Sequence, residues 1–218
     1  IASYLAALGA LGLVLAGASA AGVALRRALL PAARGTLALT GTAVGTIGVL
    51  LVVAEALGSV GELRRPALVV ALGVVGLIAL RWLRGHPGRP LKRPAAPRSG
   101  ASLTMTLVVA VCVALVLAPA LLSLQVNAHN GILAVDATEY HLTWAAHFLT
   151  THRTTSYIQV APDTPITFYP FNNELLQAIS MLAVGRDTPV LLLGPVEIGL
   201  VLLAAHAFGS EYGRGSLA

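Results

Sequence analysis

Five apolar runs, each about as long as a lipid bilayer is thick, constrain this chain more than any other feature. They occupy residues 1–25, 36–57, 66–83, 103–124 and 188–208. A helix needs about 20 predominantly apolar residues to cross the hydrocarbon core. Lipid offers no hydrogen-bond partners, so a spanning segment must satisfy its own backbone, and runs of this length favour helices. The sequence therefore predicts an all-α, polytopic membrane protein with about five transmembrane helices.

Composition supports a membrane protein and argues against other classes. The chain is 56% hydrophobic and 11% charged, whereas a soluble domain carries about 25% charged residues. The net charge of +5 does not indicate a nucleic-acid partner, because the basic residues cluster at the ends of apolar runs, where they set topology and meet lipid headgroups. The one cysteine, Cys112, lies inside an apolar run. This excludes an intrachain disulfide and a cysteine-based metal site.

A basic, proline-rich segment at residues 84–102 is the strongest topological marker. Its composition predicts a disordered linker, and the excess of positive charge places it in the cytoplasm. The basic residues after the first apolar run then also lie in the cytoplasm, and only Arg64 and Arg65 among the short loops lie outside. The polar residues 125–187 are therefore expected on the extracytoplasmic side of a multi-pass plasma-membrane protein.

The apolar runs divide the chain into a three-helix N-terminal extension at residues 1–83 and the start of a membrane core at residues 103–208, joined by the linker. We expect the tail, residues 209–218, to be truncated from a longer protein.

Some residues within the apolar runs suggest helix packing or polar function. Gly41 and Gly45 have the GxxxG spacing that lets another helix approach closely. Glu55, near the end of its run, is interpreted as a carboxylate that reaches the headgroups. Glu197 lies within the fifth run, where a carboxylate is costly and should face other helices or a polar cavity. Structural hydrogen bonding and cavity lining both remain open for Glu197.

Residues 136–150, in the long polar segment, show helical periodicity with one polar face and one apolar face. The polar face comprises Asp136, Glu139, Tyr140, Thr143, His147 and Thr150, and the apolar face comprises Leu142, Trp144, Ala145, Phe148 and Leu149. The pattern predicts an amphipathic helix on the membrane surface with its aromatic side chains at headgroup depth.

A second amphipathic helix is predicted from Asn172 or Asn173 to Gly185, because leucines recur there at helical spacing. Glu174 falls in its first turn, where the helix dipole alone would explain a carboxylate. We expect this helix to pack on the first one.

Two interpretations of Asp136 stay open from pattern alone. Asp136 followed by Glu139 forms a capping arrangement at a helix start, while paired carboxylates can also do chemistry. His141 and His147 do not have the spacing of metal ligands on one helix face. No histidine-based metal site is therefore expected. Asp136 and Glu139 could hold a divalent cation only with further ligands.

This outer segment resembles the first outer loop of the GT-C superfamily. The residues that carry the resemblance are Asp136, the run Glu139-Tyr140-His141-Leu142, and Tyr169-Pro170 ahead of Glu174. GT-C proteins are polytopic glycosyltransferases of the protein-mannosyltransferase and aminoarabinose-transferase type. The resemblance covers residues 103–208, about half the chain.

The resemblance implies a sugar transfer from a polyprenyl-phosphate donor to an acceptor that the sequence does not identify. Asp136 would be the catalytic carboxylate, with Glu139 as a second acidic group, and which of them is the base stays open. The implied substrate-binding residues are Tyr140, His141, His147, Tyr169, Asn173 and Glu174. Arg153 and Arg186 are the outer-loop cations available for the leaving phosphate, and we expect others further along the protein. No cofactor is implied, although some members use a divalent cation.

Two other functions remain possible. The protein could be a transporter or lipid-handling membrane protein in which the outer loop acts as a lid. It could also be a non-catalytic scaffold that docks a partner on its outer helices through Trp144 and Phe148.

Overall fold

Helices make up the regular structure of the described segments, and no strand occurs within them. The computed structural model describes residues 2–87, 103–132, 137–156 and 171–211. In chain order the α-helices are α1 (Ala2–Leu29), α2 (Gly35–Ser59), α3 (Arg65–Gly85), α4 (Leu103–Asn130), α5 (Leu142–Thr151), α6 (Asn172–Val184) and α7 (Leu193–Glu211). A π-helical turn, Ala137–His141, leads into α5, and a 3-10 turn, Thr188–Leu192, leads into α7.

Among the described residues, five helices are long and apolar enough to span a membrane, namely α1, α2, α3, α4 and α7 with its preceding 3-10 turn. This confirms the predicted all-α class and the five apolar spans. The helices extend beyond the predicted runs because their backbone hydrogen bonds continue past the last apolar residue of each run. For example, α4 continues from Leu124 to Asn130 through polar residues.

Glycines bring α1 against both α2 and α3. A Cβ atom added to Gly76 would lie 2.7 Å from the Cα of Gly17, and one added to Gly45 would lie 3.2 Å from the Cα of Gly22. These backbones therefore meet without side chains between them, as in small-residue packing of membrane helices. The expectation of a close helix approach is confirmed for Gly45. Gly41 instead packs against the Arg26 side chain, with a Cβ position 3.1 Å from its Cγ.

The short helices α5 and α6 cover one end of the α1–α3 bundle. Trp144 and Phe148 of α5 are 0% and 1% exposed, and they belong to one core cluster with Leu50 of α2, Leu68 of α3 and Leu175 of α6. The predicted apolar face is thus buried. Trp144 and Phe148 pack against the end of the bundle rather than against lipid, and their depth in the membrane stays a prediction.

The later helices α4 and α7 are covered much less. α7 packs on α2, while α4 contacts only α7 and the 3-10 turn among the stronger helix contacts. None of the described α4 side chains is buried. Glu197 on α7 is also exposed. The expectation that Glu197 faces other helices or a polar cavity stays a prediction.

Candidate functional site

The centre of the candidate site is a hydrogen bond between His141 and Glu174. His141 ends the π-helical turn, and Glu174 lies in the first turn of α6. The His141 Nδ1 lies 2.5 Å from Glu174 Oε1, and Glu174 is only 2% exposed. A buried carboxylate is stable only when it is paired and hydrogen-bonded. The imidazole therefore accounts for the burial of Glu174 more directly than the helix dipole does.

The charge of Glu174 sets the roles of the two imidazole nitrogens. An ionised Glu174 can only accept, so Nδ1 then donates to it and Nε2 of the neutral ring is left as a hydrogen-bond acceptor. The His141 side chain is 35% exposed, which leaves the ring reachable from outside the core. The pair thus combines a buried carboxylate with a partly exposed imidazole.

Three acceptor oxygens beside this pair have no hydrogen-bond partner among the described residues. They are the buried atoms Asn173 Oδ1, Glu174 Oε2 and Gln177 Oε1. Residues three and four apart on a helix share one side of it, so these atoms lie along one part of α6. Buried acceptors without donors are costly. This cluster is therefore suited to a ligand that presents hydroxyl or amine donors.

Aromatic rings flank the pair. The Tyr140 ring centroid lies 4.4 Å from that of His141, and Trp144 lies 4.2 Å from Phe171, the residue just before α6. The Trp144–Phe171 contact holds α5 against the start of α6.

A second polar contact, between Glu55 and Thr154, joins α2 to the loop after α5. Thr154 Oγ1 donates to Glu55 Oε1 at 3.0 Å, and the Thr154 amide donates to the Gly58 carbonyl at 3.2 Å. Glu55 and Asn172 line an open groove of about 500 Å³ between α2 and the start of α6. The sequence marked Glu55 as an acid in an apolar run but gave no signal for Thr154, because Thr154 lies in a polar loop.

The far end of α6 is held by Arg65. Its Nε donates to the Leu182 carbonyl at 2.6 Å, and Gly185 ends the helix in a left-handed conformation with φ +78°. Arg65 and Arg186 line a cavity of about 330 Å³ there. Glu174 and Leu182 are eight residues apart, which corresponds to a rise of about 12 Å. Arg186 is therefore remote from the His141–Glu174 pair.

The remaining predicted residues divide into three groups. His147 directs Nε2 to the Ser156 carbonyl at 3.0 Å, so it fastens α5 to the following loop and does not join the pair. Arg153 is exposed. Asp136 and Tyr169 lie outside the described residues, as does the side chain of Glu139.

Metal ligands do not converge in the described part of the chain. No group of three or more His, Cys, Asp or Glu side chains there could hold a metal ion.

No protein-family model, curated protein or solved structure matches this chain. The fold and the site define a membrane-embedded, all-helical protein with a buried carboxylate–imidazole pair at one end of its helix bundle. The resemblance to GT-C glycosyltransferases rests on sequence residues between α4 and α7 and stays a prediction.

Proposed function

We propose that this protein is an integral membrane glycosyltransferase that uses a sugar linked to polyprenyl phosphate and acts on the extracytoplasmic side. The observation that carries the proposal is the buried His141–Glu174 pair beside acceptor oxygens that lack donors. The residues that carry the GT-C resemblance include both members of this pair. A sugar is rich in hydroxyl groups, which supply the missing donors.

Asp136 is the proposed general base. As the acceptor hydroxyl or amine attacks the anomeric carbon, the carboxylate takes its proton. The bond from the anomeric carbon to the phosphate oxygen breaks, and the lipid phosphate leaves with the electron pair. Attack opposite the leaving group inverts the anomeric configuration. In the sequence, Asp136 immediately precedes the helical turn that ends at His141.

The His141–Glu174 pair has a positioning role in this proposal. Glu174 fixes the tautomer and orientation of the ring, as carboxylates do for functional histidines. Nε2 and the Asn173 Oδ1 atom then bind sugar hydroxyls, while Tyr140 closes one side. Glu139, Tyr169 and His147 belong to the same proposed loop, although His147 stabilises α5 and need not touch the sugar.

The arginines at the far end of α6 lie too far from Glu174 to stabilise the leaving phosphate. The anomeric carbon and the phosphorus are separated by a single oxygen atom, whereas the helix rise from Glu174 to Leu182 is about 12 Å. Arg186 and Arg65 are therefore excluded from direct contact with the phosphate of a sugar bound at Glu174.

The alternative functions receive less support. A scaffold that docks a partner through Trp144 and Phe148 requires those side chains at the surface, and both are buried in the core. No contact among the described residues specifically favours a transporter.

The test is transfer of labelled sugar from polyprenyl-phosphate mannose, the donor type that the resemblance implies, in membranes containing the protein. We expect Asp136→Asn to lower the rate by about 100-fold or more, the usual contribution of a general base. Asp187→Asn, at the exposed far end of α6, is the matched control and should leave the rate unchanged.

Membrane abundance must be equal for the three proteins. Full activity of Asp136→Asn would remove the assigned base. Absence of transfer by the unaltered protein from polyprenyl-phosphate mannose and polyprenyl-phosphate aminoarabinose would contradict the proposed activity.

A further inference from the structure

The charges of this protein are segregated along the chain. Nine of its fourteen Lys and Arg residues fall in residues 1–54 and 66–135, which contain no Asp or Glu. All nine carboxylates lie in the remaining segments. The basic segments therefore contain no carboxylate of their own that could act as a counter-ion.

Three of these cations meet at a cavity of about 770 Å³. It lies where α1 ends, α2 begins and α3 ends, and none of the described residues that line it is acidic. Its polar and aromatic lining residues are Arg26, Arg27, Arg34, Trp82 and His86. A cavity with three arginines and no acid favours an anion.

The Arg26 side chain is held in place at this cavity. Its Cγ packs over Gly41 of α2, where a Cβ atom would lie only 3.1 Å away. Its Nε is buried and has no hydrogen-bond partner among the residues that the structure describes. A buried donor of a charged group without an acceptor is costly. An anion bound here would supply that acceptor.

The start of α2 and the end of α3 also favour phosphate binding at this cavity. Arg34 is the residue before α2, and no side chain caps the amides of the first turn of this 25-residue helix. Such amides and the helix dipole attract anions. Trp82 stacks on His86 with ring centroids 4.5 Å apart, and tryptophan prefers the headgroup level of a membrane.

We propose that this cavity binds the phosphate headgroup of an anionic membrane lipid. Both a lipid and free phosphate present the same phosphate oxygens to the arginines. The lipid is favoured because the cavity lies at the ends of three apolar spans, at the depth of the headgroups. Leu29 and Leu30 beside it are exposed and are available to the acyl chains.

Tryptophan fluorescence tests this site in the intact protein. The chain has two tryptophans. Trp144 is fully buried, so quenching by lipid reports on Trp82. The protein is placed in phosphatidylcholine nanodiscs that contain equal mole fractions of either acyl-brominated phosphatidylglycerol or acyl-brominated phosphatidylcholine. We expect phosphatidylglycerol to be enriched at Trp82 on the order of tenfold, given the attraction of each arginine for anionic lipid.

Two double variants distinguish lipid binding at this cavity from lipid binding at any basic surface of the protein. Arg26→Gln with Arg34→Gln should abolish the preference for phosphatidylglycerol. Arg81→Gln with Arg84→Gln removes the same charge from exposed positions at the same end of α3 and should preserve it. If the first variant fails to fold, Arg27→Gln with Arg34→Gln serves instead, because Arg27 does not pack on Gly41.

Three results would overturn the proposal. They are equal quenching by both lipids in the unaltered protein, an equal loss of preference in both pairs of variants, and a loss of preference on adding inorganic phosphate but not chloride of the same ionic strength. The last result would assign the cavity to a free anion.

Discussion

The carboxylate of Glu174 combines near-complete burial with a hydrogen bond to a partly exposed imidazole. A buried ion pair adds little net stability compared with an apolar pair, but removing one partner leaves an uncompensated charge. The stability of this end of the molecule is therefore expected to depend on His141 through the charge of Glu174.

A double-mutant cycle measures this dependence. His141→Ala should lower the free energy of unfolding by about 2 kcal/mol, somewhat less than for a fully buried pair because water can reach the ring. In a Glu174→Gln background the same change should cost much less, since the buried side chain is then neutral. Denaturant unfolding in micelles provides the measurement.

The matched control uses Glu62, an exposed carboxylate 3.8 Å from Arg64. Glu62→Gln should leave the cost of His141→Ala unchanged. An equal cost of His141→Ala in the Glu174→Gln and unaltered backgrounds would mean that the two side chains are not coupled.

Sequence reasoning singled out both members of the pair without predicting their contact. His141 and Glu174 are 33 positions apart, and their contact depends on how α5 packs against α6, which helical periodicity does not specify. Arg65 was assigned only a topological role, because the carbonyl it binds belongs to a helix 117 positions away. Tertiary hydrogen bonds of this kind leave no local pattern in the sequence from which they could be predicted.

Among the helices, α6 is fixed at both ends by side chains from elsewhere. His141 is hydrogen-bonded to Glu174 in the first turn of α6, and Arg65 donates a hydrogen bond to the carbonyl of Leu182 in its last turn. The last carbonyls of a helix have no partner within it. Arg65 therefore supports α6 in the same way that a capping residue does.

Replacing Arg65 should loosen the end of α6. Arg65→Gln removes a charged hydrogen bond and should cost about 1.5 kcal/mol, with faster amide hydrogen exchange at residues 182–187. Its neighbour Arg64 is exposed, so Arg64→Gln should leave exchange there unchanged. Equal exchange in both variants would contradict the capping role.

The central helix of the bundle, α1, depends on the absence of side chains at its contacts. A Cβ atom on Gly17 would overlap the Leu72 carbonyl oxygen, whereas one on Gly73 would meet nothing within 4 Å. Gly17→Ala should therefore lower the free energy of unfolding by about 1 to 3 kcal/mol through overpacking. Gly73→Ala should be close to neutral. Thermal unfolding in micelles compares the two, and equal stability would exclude close packing at Gly17.

The apolar spans could be predicted from the sequence because their length and hydropathy are local properties. The surroundings of α5 could not, because periodicity shows that one face is apolar without showing what covers it. The apolar face that predicts a helix on the membrane surface is covered at Trp144 and Phe148 by the end of the α1–α3 bundle. The apolar pattern is the same for either environment.

In the whole molecule, the polar site and the basic cavity lie at opposite ends of the bundle. The His141–Glu174 pair lies where α2 ends and α3 begins, while Arg26 and Arg34 lie where α1 ends and α2 begins. A spanning helix separates its two ends by the thickness of the bilayer. The proposed transfer and the proposed lipid site therefore belong to different sides of the membrane.

Cysteine accessibility tests this arrangement most directly. After Cys112→Ala, which removes the one native thiol, single cysteines replace Thr138, exposed beside the site, or Ala95 in the basic linker. Intact cells are then treated with a membrane-impermeant thiol reagent. We expect labelling at position 138 and none at position 95. Labelling at 95 but not at 138 would place the polar site in the cytoplasm and contradict the proposed extracytoplasmic transfer.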